Sequence, residues 1–222
     1  MPLPNKSSSK ISTINSNLLI GITGGIGSGK SLFSKYLKDN GEFVIDSDAL
    51  AKELMVNNKN VRTHITQTFG AKAYLPNNEL NKDFIAEEIY SSPIKYKKIN
   101  SIVHPPTMIE VQKIAKREFK KHEMVFVESA LIFEANIRDR FDYIVLVKSE
   151  ISNRLRRIIS RDSISPEDFF RRAEFQIDPD EAEELADFVI QNDSTLEELD
   201  IKFSFIWNIL TLLTKKKKIT KK

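Results

Sequence analysis

Five of the chain's seven glycines fall between positions 21 and 29, inside Leu19-Ile20-Gly21-Ile22-Thr23-Gly24-Gly25-Ile26-Gly27-Ser28-Gly29-Lys30-Ser31. Gly24 to Ser31 fits G-x-x-x-x-G-K-[ST], and the flanks supply the setting that pattern needs. Leu18 to Ile22 is an aliphatic run suited to a buried parallel strand, while Leu32, Phe33, Tyr36 and Leu37 repeat as one helical face. Gly41 stands where a helix-ending glycine is expected. A loop with so few side chains can curl until several backbone N–H groups point at one anion, and the following helix adds its positive end. The segment therefore reads as a cradle for a nucleoside triphosphate, with Lys30 reaching the β/γ-phosphates and the Ser31 hydroxyl holding Mg²⁺.

At 222 residues, 41% hydrophobic and 29% charged, the chain is long enough for a substantial core, and one domain with insertions is expected. It has no cysteine, which removes disulfides and thiolate metal sites and fits a reducing, cytoplasmic setting. No apolar run approaches the roughly 20 residues of a membrane span. The net charge of +3 is misleading, because six lysines lie in Lys215 to Lys222, leaving a body of 3 − 6 = −3. That body has no basic stripe for nucleic acid, so 215–222 reads as a solvated tail and 1–17 as a flexible extension. No sequence feature assigns an oligomeric state.

Four further short runs share the grammar of the first strand: Glu42 to Asp46, Met124 to Glu128, Tyr143 to Val147 and Phe188 to Ile190. With helical patterns between them they imply an α/β fold on a five-stranded parallel sheet. The core is expected in 18–51, 123–149 and 181–214. The interval 52–122 is far too long for a simple crossover and reads as a helical, substrate-covering subdomain. Within it Pro105 and Pro106 are expected to break the chain, with Thr107-x-x-Glu110 as a capping box opening a new helix. A second, arginine-rich insertion covers about 150–180, where Ser165-Pro166 opens a helix. A last helix over Leu196–Leu213 would bury Leu199, Phe203, Ile206 and Leu210.

In a parallel sheet ligands gather at the carboxyl ends of the strands, which selects Asp46, Asp48 and Glu128. Asp46 and Asp48 project to the same side if the chain stays extended, and one of them can take the proton of an attacking hydroxyl. The competing reading makes Asp46 a helix cap and Asp48 merely solvated. Arg154, Arg157 and Arg161 share one helical face, either a solvated face or a lid that clamps phosphates. His104 precedes Pro105 at an expected helix entrance, a place where a lone histidine is usually structural.

Thr23 to Ser31, Val44-Ile45-Asp46-Ser47-Asp48 with Ala51-Lys52, Val103-His104-Pro105, Glu128 to Glu134, Arg157 to Asp162 and Gln176 together resemble the dephospho-CoA kinase family, over about residues 18–195. The glycine loop joined to D-x-D about seventeen residues later is the specific part. The resemblance implies a P-loop, three-layer α/β/α kinase with a helical CoA subdomain and a helical lid. It implies transfer of the γ-phosphoryl of ATP to the 3′-hydroxyl of dephospho-CoA, the last step of coenzyme A synthesis, with Mg²⁺. Carried onto this sequence, it places Gly27, Ser28, Gly29, Lys30, Ser31 and Leu32 around the ATP phosphates, and Asp48 as general base in the acceptor site. It places His104 beside the acceptor, Arg161 and Arg172 on the lid near the phosphates, and Glu128 at Mg²⁺ through water. Leu32, Glu128 and Ala130 depart from the threonine, aspartate and proline common there. A regulatory GTPase is disfavoured, since neither D-x-x-G nor N-K-x-D occurs. A different small-molecule kinase would lack both the His-Pro pair and D-x-D.

Overall fold

The computed structural model describes residues 17–162 and 164–219. Five strands, β1 (Leu18–Thr23), β2 (Phe43–Asp46), β3 (Met124–Glu128), β4 (Tyr143–Lys148) and β5 (Phe188–Gln191), form one sheet. Their order is β2-β3-β1-β4-β5 and every pairing is parallel. The helices around it are α1 (Lys30–Asp39), α2 (Ser47–Asn57), α3 (Lys59–Phe69), α4 (Lys82–Tyr90), α5 (Pro93–Glu118), α6 (Ile151–Asp162), α7 (Pro166–Ala173), α8 (Pro179–Leu185) and α9 (Leu196–Ile219). The α/β class and the five strands expected from the apolar runs are present.

β1 is aliphatic on both faces because both faces are covered. On one, α1 and α9 bury Phe33, Leu37, Leu199, Phe203, Ile206 and Leu210 against Ile20, Ile22, Phe126 and Val145. On the other, Met108, Val111 and Ala115 of α5 pack on Leu19, Val125, Val127 and Ile144. That gives three layers. The layers pack closely at Gly21, where an added Cβ would lie 2.6 Å from Ile144 Cδ1 and 2.7 Å from Ile132 Cδ1. The four apolar positions expected on α9 are the buried ones, and the helix continues past Leu213 to Ile219. Of the expected tail and extension, residues 220–222 and 1–16 lie outside the described residues.

A third apolar cluster, with Val61, Ile65, Ile85, Ile99 and Val103 at its centre, belongs to α3, α4 and the first half of α5. The segment between β2 and β3 is helical apart from a short bridge between Tyr74 and Leu80. The prolines do not break it: α5 runs unbroken through Pro105 and Pro106. Thr107 caps nothing; it is buried, and its hydroxyl donates to Val103 O at 2.8 Å. Two prolines remove two helical N–H donors, a loss that ordinarily ends a helix. Here packing overrides it, since Val103 before the prolines sits in the insertion's core and Met108 after them in the sheet's core. One helix thus ties the insertion to the sheet, with His104 at the junction rather than at a helix entrance.

Register aligns the carboxyl ends of the first three strands. Glu128 lies opposite Ile22 on one side and Asp46 on the other. The chain reverses direction across the sheet here, with β3 and β4 flanking β1, and this is where open α/β sheets hold ligands.

Candidate active site

The loop from Gly24 to Gly29 folds over the end of β1 with Gly27 at φ 78° and Gly29 at φ 99°, left-handed conformations in which a side chain is strained. No side chain caps α1 at Gly29, so its first N–H groups are left for an anion. Lys30 bends back over the loop, Nζ donating to Gly24 O at 2.7 Å and Gly25 O at 3.2 Å. Burial holds its pKa below the ordinary lysine value, against the opposing pull of Asp48, Glu128 and Glu134. Ser31 donates its hydroxyl to Glu128 Oε1 at 2.7 Å. These are two hard oxygen donors at the loop, a set that suits Mg²⁺ shared with phosphates. Ser28 is buried, and its Oγ has no hydrogen-bond partner. Leu32 is partly exposed at the surface of α1.

The two aspartates after β2 do different work. β2 ends at Asp46, which caps α2 by accepting from Ala49 N at 2.8 Å. Because α2 starts at Ser47, the chain is not extended between the acids, and the shared side expected from alternation does not arise. Asp48, in the first turn of α2, is half-buried. Burial raises its pKa above the usual carboxylate range; Lys30 and a hydrogen bond from the Ala130 amide oppose the rise, while Asp46 and Glu128 add to it. A base tuned upward in this way is suited to proton transfer nearer neutral pH.

Next to this centre lies a cavity of about 1000 Å³ lined by residues including Tyr96, Asn100, His104, Met108, Phe133 and Phe175. His104 Nε2 is buried without a partner, and burial keeps the ring's pKa below 6.5, so the imidazole is neutral at neutral pH. A smaller cavity of about 260 Å³ lies beside Gly24, Gly25 and Ser28. Phe133, Glu134, Gln176 and Ile177 form a wall common to both.

The arginines of α6 divide. Arg154, only 6% exposed, donates Nε to Ile26 O at 2.8 Å, and its guanidinium lies 5.7 Å from the Phe169 ring of α7. Arg157 reaches Gly27 O at 3.3 Å and Asn192 O at 2.8 Å. Arg161 instead makes a two-pronged pair with its neighbour Asp162, both bonds at 2.7 Å. Arg172 stands 5.8 Å from the Tyr90 ring. The structure therefore gathers Lys30, Ser31, Asp48 and Glu128, puts His104 on the adjoining cavity, and leaves Arg161 and Arg172 without a bond to the loop.

Several side chains around the loop were not selected from sequence as site residues. Gln176 Oε1 accepts from Ile26 N at 2.8 Å, so Ile26 is held by its N–H as well as by its C=O, in the two peptide groups that flank its Cα. Asn192 Nδ2 donates to Ser28 O at 2.7 Å. Glu134 Oε1 accepts from Ile177 N at 2.9 Å while its Oε2 is buried and unpartnered. Phe175 packs on Tyr96 at 4.5 Å between ring centroids and on Tyr90 at 5.6 Å, joining the second insertion to the first. The apolar residues before Glu134 were the visible hint, but only the turns after β3 bring it round.

Comparison with known proteins agrees with this geometry. The family model described as dephospho-CoA kinase matches residues 18–198. A dephospho-CoA kinase of Salinibacter ruber is 33% identical over 86% of this chain and 97% of its own length. One of Fusobacterium nucleatum is 35% identical over 82% and 93%. Among solved structures, a Thermus thermophilus protein superposes with a TM-score of 0.74 at 29% identity, covering 87% of this chain and 98% of its own. The dephospho-CoA kinase of Campylobacter jejuni, 22% identical over 86% and 96%, shares the fold with a TM-score of 0.64. With the phosphate loop, the parallel sheet and the family match in agreement, this chain belongs to the dephospho-CoA kinase family.

Proposed function

We propose that the protein transfers the γ-phosphoryl group of ATP to the 3′-hydroxyl of dephospho-CoA, giving CoA and ADP. The observation that carries this reading is the juxtaposition of two cavities, one at Gly24, Gly25 and Ser28 of the phosphate loop and a larger one at His104, across the common wall of Phe133, Glu134, Gln176 and Ile177. A place for the donor thus adjoins a place for the acceptor.

ATP binds along Gly27 to Leu32, and Lys30 leaves the Gly24 and Gly25 carbonyls to meet the β/γ-phosphates. Ser31 and Glu128 would hold Mg²⁺, which supplies neutralisation of phosphate charge when bound. The acceptor enters the large cavity past His104, whose unpartnered Nε2 is available to one of its polar groups. Asp48 takes the proton of the 3′-hydroxyl as its oxygen bonds to the γ-phosphorus and the bond to the β-phosphate oxygen breaks. Lys30, and Arg161 and Arg172 once turned from Asp162 and Tyr90, stabilise the charge spread over the transferring group. We assign 52–122 to acceptor binding, 150–180 to the lid, and the protein to the cytoplasm; among the described residues no helix is long and apolar enough to cross a membrane.

The test is ADP formation by purified protein with Mg-ATP, with and without dephospho-CoA. Acceptor-dependent ADP is expected, and ADP production indifferent to dephospho-CoA overturns the reading.

A further inference from the structure

Glu134 has two oxygens in two different situations. Oε1 is fixed by the Ile177 amide at 2.9 Å, in the segment that leads from the second insertion into α8. Oε2 is buried and has no partner. Leaving a carboxylate oxygen buried and unmatched costs free energy comparable to a lost hydrogen bond, and such an atom in a folded protein calls for a specific explanation. Among the described residues three other side-chain atoms share this condition, and one of them, His104 Nε2, lies in the wall of the same large cavity. Glu134 also belongs to the wall common to this cavity and the smaller one at the loop. It therefore stands between the place for the donor and the place for the acceptor.

We propose that the unpartnered oxygen of Glu134 accepts a hydrogen bond from the acceptor's 2′-hydroxyl, the neighbour of the hydroxyl that is phosphorylated, and so presents the 3′-hydroxyl to Asp48. The ribose of dephospho-CoA carries a pair of adjacent hydroxyls, so a carboxylate on one aims the other at a base nearby. Among the described residues it is the one carboxylate oxygen buried without a partner, whereas nearby Glu128 already accepts from Ser31 at 2.7 Å and Asp46 from Ala49 N at 2.8 Å. Because Oε1 is bonded to Ile177, the same side chain links acceptor binding to the segment bearing Gln176, whose side chain holds Ile26 of the loop. A site built to bond a hydroxyl discriminates strongly against an analogue lacking it, since its polar group is then left unpaired.

This assignment rests on the kinase reading above, and the experiment separates the two. Wild type and Glu134→Gln are compared on dephospho-CoA and on its 2′-deoxy analogue, with kcat and both KM values measured. Wild type is expected to lose roughly tenfold to a hundredfold in kcat/KM on the deoxy acceptor, the range for a hydrogen bond to a charged group. Glu134→Gln is expected to lose a similar factor on dephospho-CoA, mainly in the acceptor's KM, with the KM for ATP within about twofold and little further loss on the deoxy acceptor. Additive losses, wild-type indifference to the 2′-hydroxyl, or a shift confined to the KM for ATP each overturn the assignment. If Glu134→Gln does not fold, Glu134→Asp carries the same expectation. Failure of wild type to phosphorylate dephospho-CoA at all would instead sink the kinase reading itself.

Discussion

Gln176 accepts a hydrogen bond from the backbone N–H of Ile26 at 2.8 Å, tying a residue beyond α7 to the phosphate loop 150 positions earlier. Arg154 holds the carbonyl of the same Ile26 at 2.8 Å. The two successive peptide groups at Ile26, and with them the mouth of the loop, are held by two side chains from the second insertion. Removing one grip should loosen the loop without unfolding the sheet. Gln176→Ala is expected to raise the KM for ATP roughly fivefold, the worth of one modest hydrogen bond, with thermal stability little changed. An unaltered KM for ATP in steady-state kinetics would show that the grip has no bearing on nucleotide binding.

Asp48→Asn removes the base and keeps the shape. We expect kcat to fall roughly 10²- to 10⁴-fold with both KM values within a few-fold. The wild-type pH profile carries the same information. Burial lifts the pKa of Asp48 above 3.8, and a base works only when deprotonated, so activity should fall with decreasing pH on a limb centred above that value. The limb should be missing from the residual activity of Asp48→Asn. A variant as fast as wild type would end the general-base assignment.

Asp193 governs acid stability at the start of α6. Burial alone would raise its pKa, but hydrogen bonds from Ser149, Asn153, Gln191 and the Glu150 amide outweigh that and bring it down to about 2. A carboxyl with a depressed folded-state pKa contributes stability that is present above its unfolded value of 3.8 and is lost as pH falls through about 2. Asp193→Asn should therefore lower stability by about 1 kcal/mol at neutral pH. In thermal melts the gap from wild type should close as the pH is lowered from about 4 to about 2. A gap that persists unchanged in acid would place the effect elsewhere.

Phe203 is fully buried between α9 and the sheet, with its ring centroid 4.9 Å from that of Phe33. Phe203→Ala leaves a cavity there and is expected to cost about 3–5 kcal/mol in denaturant unfolding. A loss below about 1 kcal/mol would mean that the site collapses around the deletion.

What the sequence discloses is what neighbouring residues decide. The phosphate loop is a local pattern, so Gly24 to Ser31 could be read directly, and the short apolar runs located all five strands. The capping role of Asp46 was also legible as one of two readings, since a cap involves only the next three residues. Pro105 and Pro106 misled because propensity is local, whereas the packing of Val103 and Met108 that carries α5 through them is not. Gln176 and Asn192 could not be selected as loop contacts, because each meets the loop across at least 150 positions of sequence. The arginine face on α6 was visible, but its partition between the loop and Asp162 depends on how that helix lies on the core.

Whether the phosphoryl group leaves ATP for the 3′-oxygen of dephospho-CoA is read most directly by phosphorus NMR of the product made by purified protein from Mg-ATP and dephospho-CoA. The expected result is ADP together with a new phosphomonoester on the ribose 3′-oxygen, indistinguishable from authentic CoA. ADP with inorganic phosphate and unchanged dephospho-CoA would contradict it.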